Sequence, residues 1–255
     1  MARVLIIVIV MLFAGACRKE ETPDPVIEAP VGKLELIDSY PIDVPEPSGL
    51  SFGHDKKTLL TVSDHTNHVY EMDMQGNIIR MLDYTGKNLE GVTYNPDKNL
   101  VVVAEEADRE ITFIDYDTGI KLETFRLDIP ANSDNNGLEG ISYNTNNKLY
   151  YIVNEMNPEL LITWNEVSGI ISEDNLDFAS DYSGIFADAD HSFLWIVSDQ
   201  SKRVFKCDYN ANVLQIFNLD ELKYEGIVVD ENIICLVNDA TAKLDYYQII
   251  KNELW

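Results

Sequence analysis

The stretch Leu89 to Asp115, LEGVTYNPDKNLVVVAEEADREITFID, decides how the rest of the chain is read. Glu90 and Gly91 open a short apolar run, and Pro96-Asp97 turns it into a second run, Leu100 to Ala104. That run ends in two carboxylates, Glu105 and Glu106, and a third run, Ile111 to Ile114, ends at Asp115. Short apolar runs punctuated by turn residues predict three antiparallel strands in a meander.

The same outline recurs along the chain. Gly49, Gly91, Gly140, Gly184 and Gly226 are each followed by an aliphatic residue, at steps of 42, 49, 44 and 42. Asp64, Glu106, Glu155 and Asp199 each follow their glycine by 15 residues, and Asp239 follows Gly226 by 13. The next strand starts at Val69, Ile111, Leu161, Val204 or Leu244, five or six residues further on. A period near 44 built from short strands, without the three-and-four spacing of helices, predicts an all-β protein, a β-propeller. Five blades of four antiparallel strands are expected, or six if one copy is too degenerate to see. The fifth copy runs out at Trp255 before its fourth strand, whereas Lys33 to Ile42 (KLELIDSYPI) alternates like a strand and precedes the first landmark. Pairing chain start with chain end would close the ring and remove its open sheet edges.

Met1 to Ala16, MARVLIIVIVMLFAGA, has one basic residue, a short apolar run and then small residues, as a signal peptide does. Ala14-Gly15-Ala16-Cys17 resembles a lipobox, with Ala14 where Leu is usual, so Cys17 is expected to carry a lipid anchor. Residues 17–32 read as a proline-bearing tether and residues 33–255 as the propeller domain. The expected location is the cell envelope, at the periplasmic or the outer surface, as a monomer held to the membrane by its lipid. Cys207 and Cys235 fall on different copies and read as separate buried thiols, with a disulfide as the alternative.

The 44 acidic against 19 basic residues give a net charge of -25, which disfavours nucleic acid and anionic lipid head groups as partners and favours cations. In an antiparallel meander the residue before the glycine and the end of the second strand lie at one edge, so two sets of landmarks share a face. The inner set is Ser48 (with Glu46 two residues before it), Glu90, Glu139, Ser183 and Glu225; the outer set is Asp64, Glu106, Glu155, Asp199 and Asp239. Two carboxylates about 8 Å apart at an effective dielectric near 20 repel by roughly 2 kcal/mol. Such a ring therefore either raises its pKa values or holds a cation, and calcium suits an oxygen-only ligand set. Glu46, Glu90, Glu139 and Glu225 are the primary ligand candidates. The outer set has the competing reading of capping turns or accepting backbone N–H groups. His65 and His68 read as solvated loop residues, and Tyr182 and Tyr224 as exposed rings at a pocket mouth or as packing between blades.

Glu46-Pro47-Ser48-Gly49-Leu50, Leu89-Glu90-Gly91-Val92, Gly137-Leu138-Glu139-Gly140-Ile141, Asn154-Glu155-Met156-Asn157-Pro158, Asp181-Tyr182-Ser183-Gly184-Ile185, Ser198-Asp199-Gln200-Ser201 and Tyr224-Glu225-Gly226-Ile227 together resemble the motifs of the SdiA-regulated (YjiK/CarP-like) β-propeller family. The resemblance runs in order from Lys33 to Tyr247 and departs at Asn238-Asp239-Ala240-Thr241, where a Glu-Pro-Asn type of sequence would be expected. It implies a secreted or membrane-anchored propeller without an established reaction, linked to calcium handling and loosely likened to propeller phytases. The expected role is thus recognition of a small molecule or protein at a calcium-bearing face. The rival is a calcium-dependent hydrolase of a phosphate ester, ester or lactone, for which Arg109, Lys202 and Arg203 are the basic residues near landmark carboxylates. No G-x-S-x-G elbow, H-E-x-x-H motif or phosphate-cradling glycine loop accompanies them.

Overall fold

A computed structural model describes residues 27–129 and 137–250, in twenty strands and one short 3-10 turn. The signal-like run, Cys17 and most of the tether lie outside the described residues. Strand β1 (Val31–Pro41) is followed by β2 (Pro47–Phe52), β3 (Thr58–Ser63), β4 (His68–Asp73) and β5 (Ile78–Thr85), and then by β6 (Leu89–Asn95), β7 (Leu100–Glu105), β8 (Glu110–Asp115) and β9 (Lys121–Arg126). The third group is β10 (Leu138–Asn144), β11 (Leu149–Asn154), β12 (Leu160–Asn165) and β13 (Gly169–Asn175), and the fourth is β14 (Gly184–Asp188), β15 (Phe193–Ser198), β16 (Arg203–Cys207) and β17 (Val213–Asn218). The last is β18 (Tyr224–Asp230), β19 (Ile233–Asn238) and β20 (Lys243–Ile250).

Strands β2 to β5, β6 to β9 and β10 to β13 form three four-stranded antiparallel meanders, and the remaining eight strands form one sheet in the order β14-β15-β16-β17-β1-β20-β19-β18. Within that sheet β1 pairs antiparallel with β20 from Lys33↔Ile250 to Pro41↔Lys243, and touches β17 in parallel only at Val31↔Ile216 and Gly32↔Phe217. The chain start thus supplies the outer partner of the chain end, as the unpaired N-terminal strand predicts. The strand begins at Val31, two residues before the expected boundary, and Ile27 and Ala29 pack against the core, so the end of the tether belongs to the fold.

First strands β2, β6, β10, β14 and β18 each lie against the next around the axis, and β18 returns to β2. The glycine landmarks explain how they come so close. A Cβ on Gly49 would sit 2.7 Å from Glu90 O, one on Gly91 2.6 Å from Glu139 O, and one on Gly226 2.4 Å from the carbonyl carbon of Gly49. Backbone meets backbone there, and the waist lined by Gly49, Gly140, Gly184 and Gly226 leaves no room for a water.

Hydrophobic clusters fill each gap between consecutive sheets, which is why second strands read as continuous apolar runs. Val101 and Val103 of β7 face the cluster with Leu60 and Val62, while Val102 and Ala104 face the one with Tyr150 and Ile152. Cys207 and Cys235 lie free in two different clusters, as the separate-thiol reading expects, and burial pushes both thiols up to about 12. Tyr182 and Tyr224 are buried rather than exposed. The Tyr182 hydroxyl accepts the N–H groups of Phe178 and Ala179, and that of Tyr224 donates to Asp245 at 2.7 Å. His68 is the first residue of β4, its ring nitrogen 2.9 Å from Tyr84 O, so of these two histidines it is His65 that is an exposed loop residue.

Candidate functional site

Each inner glutamate owes its position to an irregularity in its ladder. In β6 Leu89 pairs with Glu105 and Gly91 with Ala104, leaving Glu90 without a partner. The same shift skips Glu139 between Leu138 and Gly140, and Glu225 between Tyr224 and Gly226. A bulge of this kind re-aims the extra side chain, and the adjacent glycine lets it approach the axis. The outer carboxylates stand one residue beyond the second strands, at the same edge.

Together they line a cup of about 380 Å³ at one mouth of the axis, closed below by the glycine waist. Its walls carry nine carboxylates, Asp64, Glu90, Glu106, Glu139, Glu155, Asp181, Asp199, Glu225 and Asp239, and one cation, Lys223. All ten landmark residues of the two sets reach it. Glu46 does not: it sits in the adjoining loop, more than half exposed, 3.6 Å from His65. Arg109, Lys202 and Arg203 do not line it either.

Asn88, Asp181, Gln200 and Lys223 complete the cup, and none of them is among the expected ligand residues. For three of them a signal is present: Asn88, Asp181 and Lys223, with Glu46 and Gly137, stand three residues before the five glycines, a third landmark in phase. Backbone carbonyls at this position accept the N–H of the outer carboxylate of their own repeat: Glu106 N to Asn88 O at 3.0 Å, Glu155 N to Gly137 O at 2.9 Å, and Asp239 N to Lys223 O at 2.8 Å. The backbone N–H at the same position can bond backwards. Gly137 N donates to Glu106 at 3.2 Å, and Lys223 N donates to Asp199. Two outer carboxylates therefore stitch consecutive repeats together, which is the backbone-accepting role, across repeats rather than within one. Asp64 departs from it, since its buried Oδ1 has no hydrogen-bond partner among the described residues.

Electrostatics in the cup follow from partial burial and from the crowding of like charges. Burial first, then the charges of Asp64, Glu106 and Glu225, holds Glu90 well above the carboxylate range. Burial and the charges of Glu90, Glu155 and Glu106 do the same to Glu139. Glu155 and Glu225 are pushed up to about 7, by burial and then by neighbouring carboxylates, with Lys223 opposing the shift. Burial and Glu46 raise Asp64 to about 6. Lys223 lies 3.5 Å from both Asp199 and Glu225, whose charges raise its own pKa despite partial burial.

Lys223 pairs directly with Asp199 and Glu225, its charge also reaches Glu155, and the charge of the buried Arg109 acts on Glu106 from outside the lining. Beside these, Glu106, Glu139 and Glu155 offer carboxylate oxygens that lie within 4.8 Å of one another. Oxygens at that separation need to close by only a few tenths of an ångström to share a single ion at the 2.3–2.6 Å bond length of calcium. The donor set is oxygen only, as a hard cation requires, and the orphaned Asp64 oxygen adds a further unused acceptor in the same cup.

A family model described as SdiA-regulated matches residues 37–232. Among solved structures, a catalytically inactive variant of virginiamycin B lyase from Staphylococcus aureus, with quinupristin, aligns at a TM-score of 0.52 with 18% identity, over 80% of this chain and 66% of that one. The selenomethionine-substituted lyase from the same organism aligns at 0.52 with 17% identity, over 83% and 69%. This chain spans about two thirds of the lyase's length, and at that identity the likeness is one of fold.

Proposed function

The chain belongs to the SdiA-regulated family, and from that premise we propose that it is a lipid-anchored envelope protein, a five-bladed propeller whose acidic cup binds a divalent cation, calcium by preference. The count of five follows from placing β1 with β18 to β20, where its ladder is long, rather than with β17, where it spans two residue pairs. The envelope location rests on the signal-like run and Cys17. Fatty-acid labelling that marks the wild type and misses Cys17→Ala supports it; equal labelling, or none, defeats it.

The observation that carries the cation reading is the convergence of Glu106, Glu139 and Glu155 within 4.8 Å, none of which is ion-paired to Lys223 among the described contacts. Glu139, Glu90 and Glu225 come from the inner set and Glu106 and Glu155 from the outer, so the ligand set mixes the two. Calcium is preferred because carboxylates from separate strands make an irregular cage, whereas magnesium needs a near-ideal octahedron and gives up water reluctantly. Nine carboxylates against one engaged lysine favour cations, or ligands that present them, over anionic phosphate esters, so the reading is recognition rather than hydrolysis.

Isothermal titration of metal-stripped protein tests the site. Calcium should bind with a one-to-one plateau, magnesium at least tenfold more weakly, and Glu106→Gln with Glu155→Gln should abolish the heat. Equal binding by that double variant contradicts the proposed ligands.

A further inference from the structure

A second polar anomaly lies far from the cup, in the wedge between β15 to β17 and the chain-end strands. Trp195, Lys206 and Gln215 stand side by side on adjacent strands, in register at Trp195↔Lys206 and Lys206↔Gln215. They line a cavity of about 270 Å³, walled on its other sides by Phe217, Ile249 and Ile250 and rimmed by Glu231 and Asn232.

Two groups in this wedge lack the partners their chemistry asks for. The Trp195 ring is 3% exposed, and among the described residues its indole N–H has no acceptor. A buried donor left unpaired costs roughly 1–3 kcal/mol, so such groups are few in folded proteins. Lys206 is half-buried, its ammonium 3.7 Å from the ring centre of Phe193 and 5.2 Å from that of Trp195. It makes no ion pair among the described residues, although acidic side chains outnumber basic ones 44 to 19. Burial lowers its pKa, and the charge of Asp188 offsets that only in part. Aromatic faces hold the cation in place but supply no hydrogen-bond acceptor.

We propose that this wedge is an anion site for a small amphipathic carboxylate, whose charged end takes the Lys206 ammonium, the Trp195 N–H and the Gln215 amide, and whose apolar body lies against Phe217, Ile249 and Ile250. One ammonium and two neutral donors match a monoanion. A phosphate dianion would need more donors, and the isoleucine and phenylalanine walls would be wasted on it. Neither the acidic cup nor its cation takes part, so this proposal stands whether or not the cup binds calcium.

Sodium benzoate, titrated to millimolar concentration into the full chain labelled with nitrogen-15, tests it through the indole N–H signals, with Trp195→Phe assigning the resonance. The Trp195 signal should move saturably while that of Trp164 stays put. Lys206→Met, which keeps the stem on the rings, should weaken binding about tenfold or more, and Lys206→Arg should retain it within about threefold. An unmoved Trp195 signal, an unchanged affinity in Lys206→Met, or equal binding of neutral benzamide would each overturn the carboxylate site.

Discussion

The two ends of the first strands carry opposite chemistry although one glycine waist joins them. At the far end Ser51, Thr93 and Ser142, each two residues beyond its glycine, accept the backbone N–H of the next strand, from Tyr94 at 3.2 Å, Tyr143 at 3.0 Å and Ala187 at 2.9 Å. Neutral hydroxyls there bond strand to strand, and Phe52 closes on Phe186 edge to face at 5.9 Å. At the mouth the same strands present carboxylates that repel one another, with Asp64 Oδ1 unpaired. Stability explains the far end; it does not explain the mouth. Polar groups gathered against their own electrostatics are what the proposed cation site rests on.

Three perturbations separate waist, far end and mouth. The waist should be the most sensitive, because Gly226→Ala places a Cβ 2.4 Å from one backbone atom and 2.5 Å from another. Relief requires the ring to open, at a cost of about 3 kcal/mol, or about 10 °C in melting temperature. A loss under about 1 °C would mean that the strands are not in backbone contact. At the far end, Thr93→Val strands the Tyr143 N–H and should cost about 1–2 kcal/mol, by the same amount across pH and with or without calcium. The smallest effect belongs to Lys223→Gln, whose half-exposed ammonium contributes at most about 1 kcal/mol to the metal-free fold. The same change should tighten calcium binding several-fold in a calorimetric titration, by removing a competing charge.

Acidity sharpens the contrast further. Glu155 and Glu225 have folded pKa values raised to about 7, above the ordinary 4.5, so the folded state holds their protons more tightly than the unfolded chain. Their contribution is most favourable below about pH 4.5 and is lost as pH rises through about 7. Metal-free protein should therefore lose stability between about pH 5 and 7.5. Calcium, competing with those protons, should flatten the profile. A metal-free profile that rises over this interval would show these carboxylates stabilised by hydrogen bonds rather than crowded.

Much of this was legible in the sequence because repetition exposes geometry. The Glu-Gly pairs at Glu90, Glu139 and Glu225 register both the bulge and the close approach behind it, and the carboxylate 15 residues on from most of the glycines marks the same edge. The chain-end partnership of β1 followed from counting strands. What stayed hidden was chemistry that varies at a constant position. Glu46, Asn88, Gly137, Asp181 and Lys223 share a slot but no residue type, so Lys223 gave no sign that it neutralises one side of the cup. Exposure misled at Tyr182 and Tyr224, since a tyrosine with its hydroxyl bonded inside reads the same as one facing solvent.

The central claim is that the mouth carboxylates are held together against their repulsion so that a cation can sit among them. Denaturant unfolding of the wild type and Glu139→Gln at about pH 7.5, each with and without calcium at about a hundred times its dissociation constant, tests it most directly. Calcium should add about 2.7 kcal/mol to the wild type. The substitution should raise metal-free stability while removing most of that gain, because it spares the folded state the cost of protonating or burying that carboxylate and keeps the shape. A Glu139→Gln protein that is less stable without calcium, or that keeps the full calcium gain, would contradict the account.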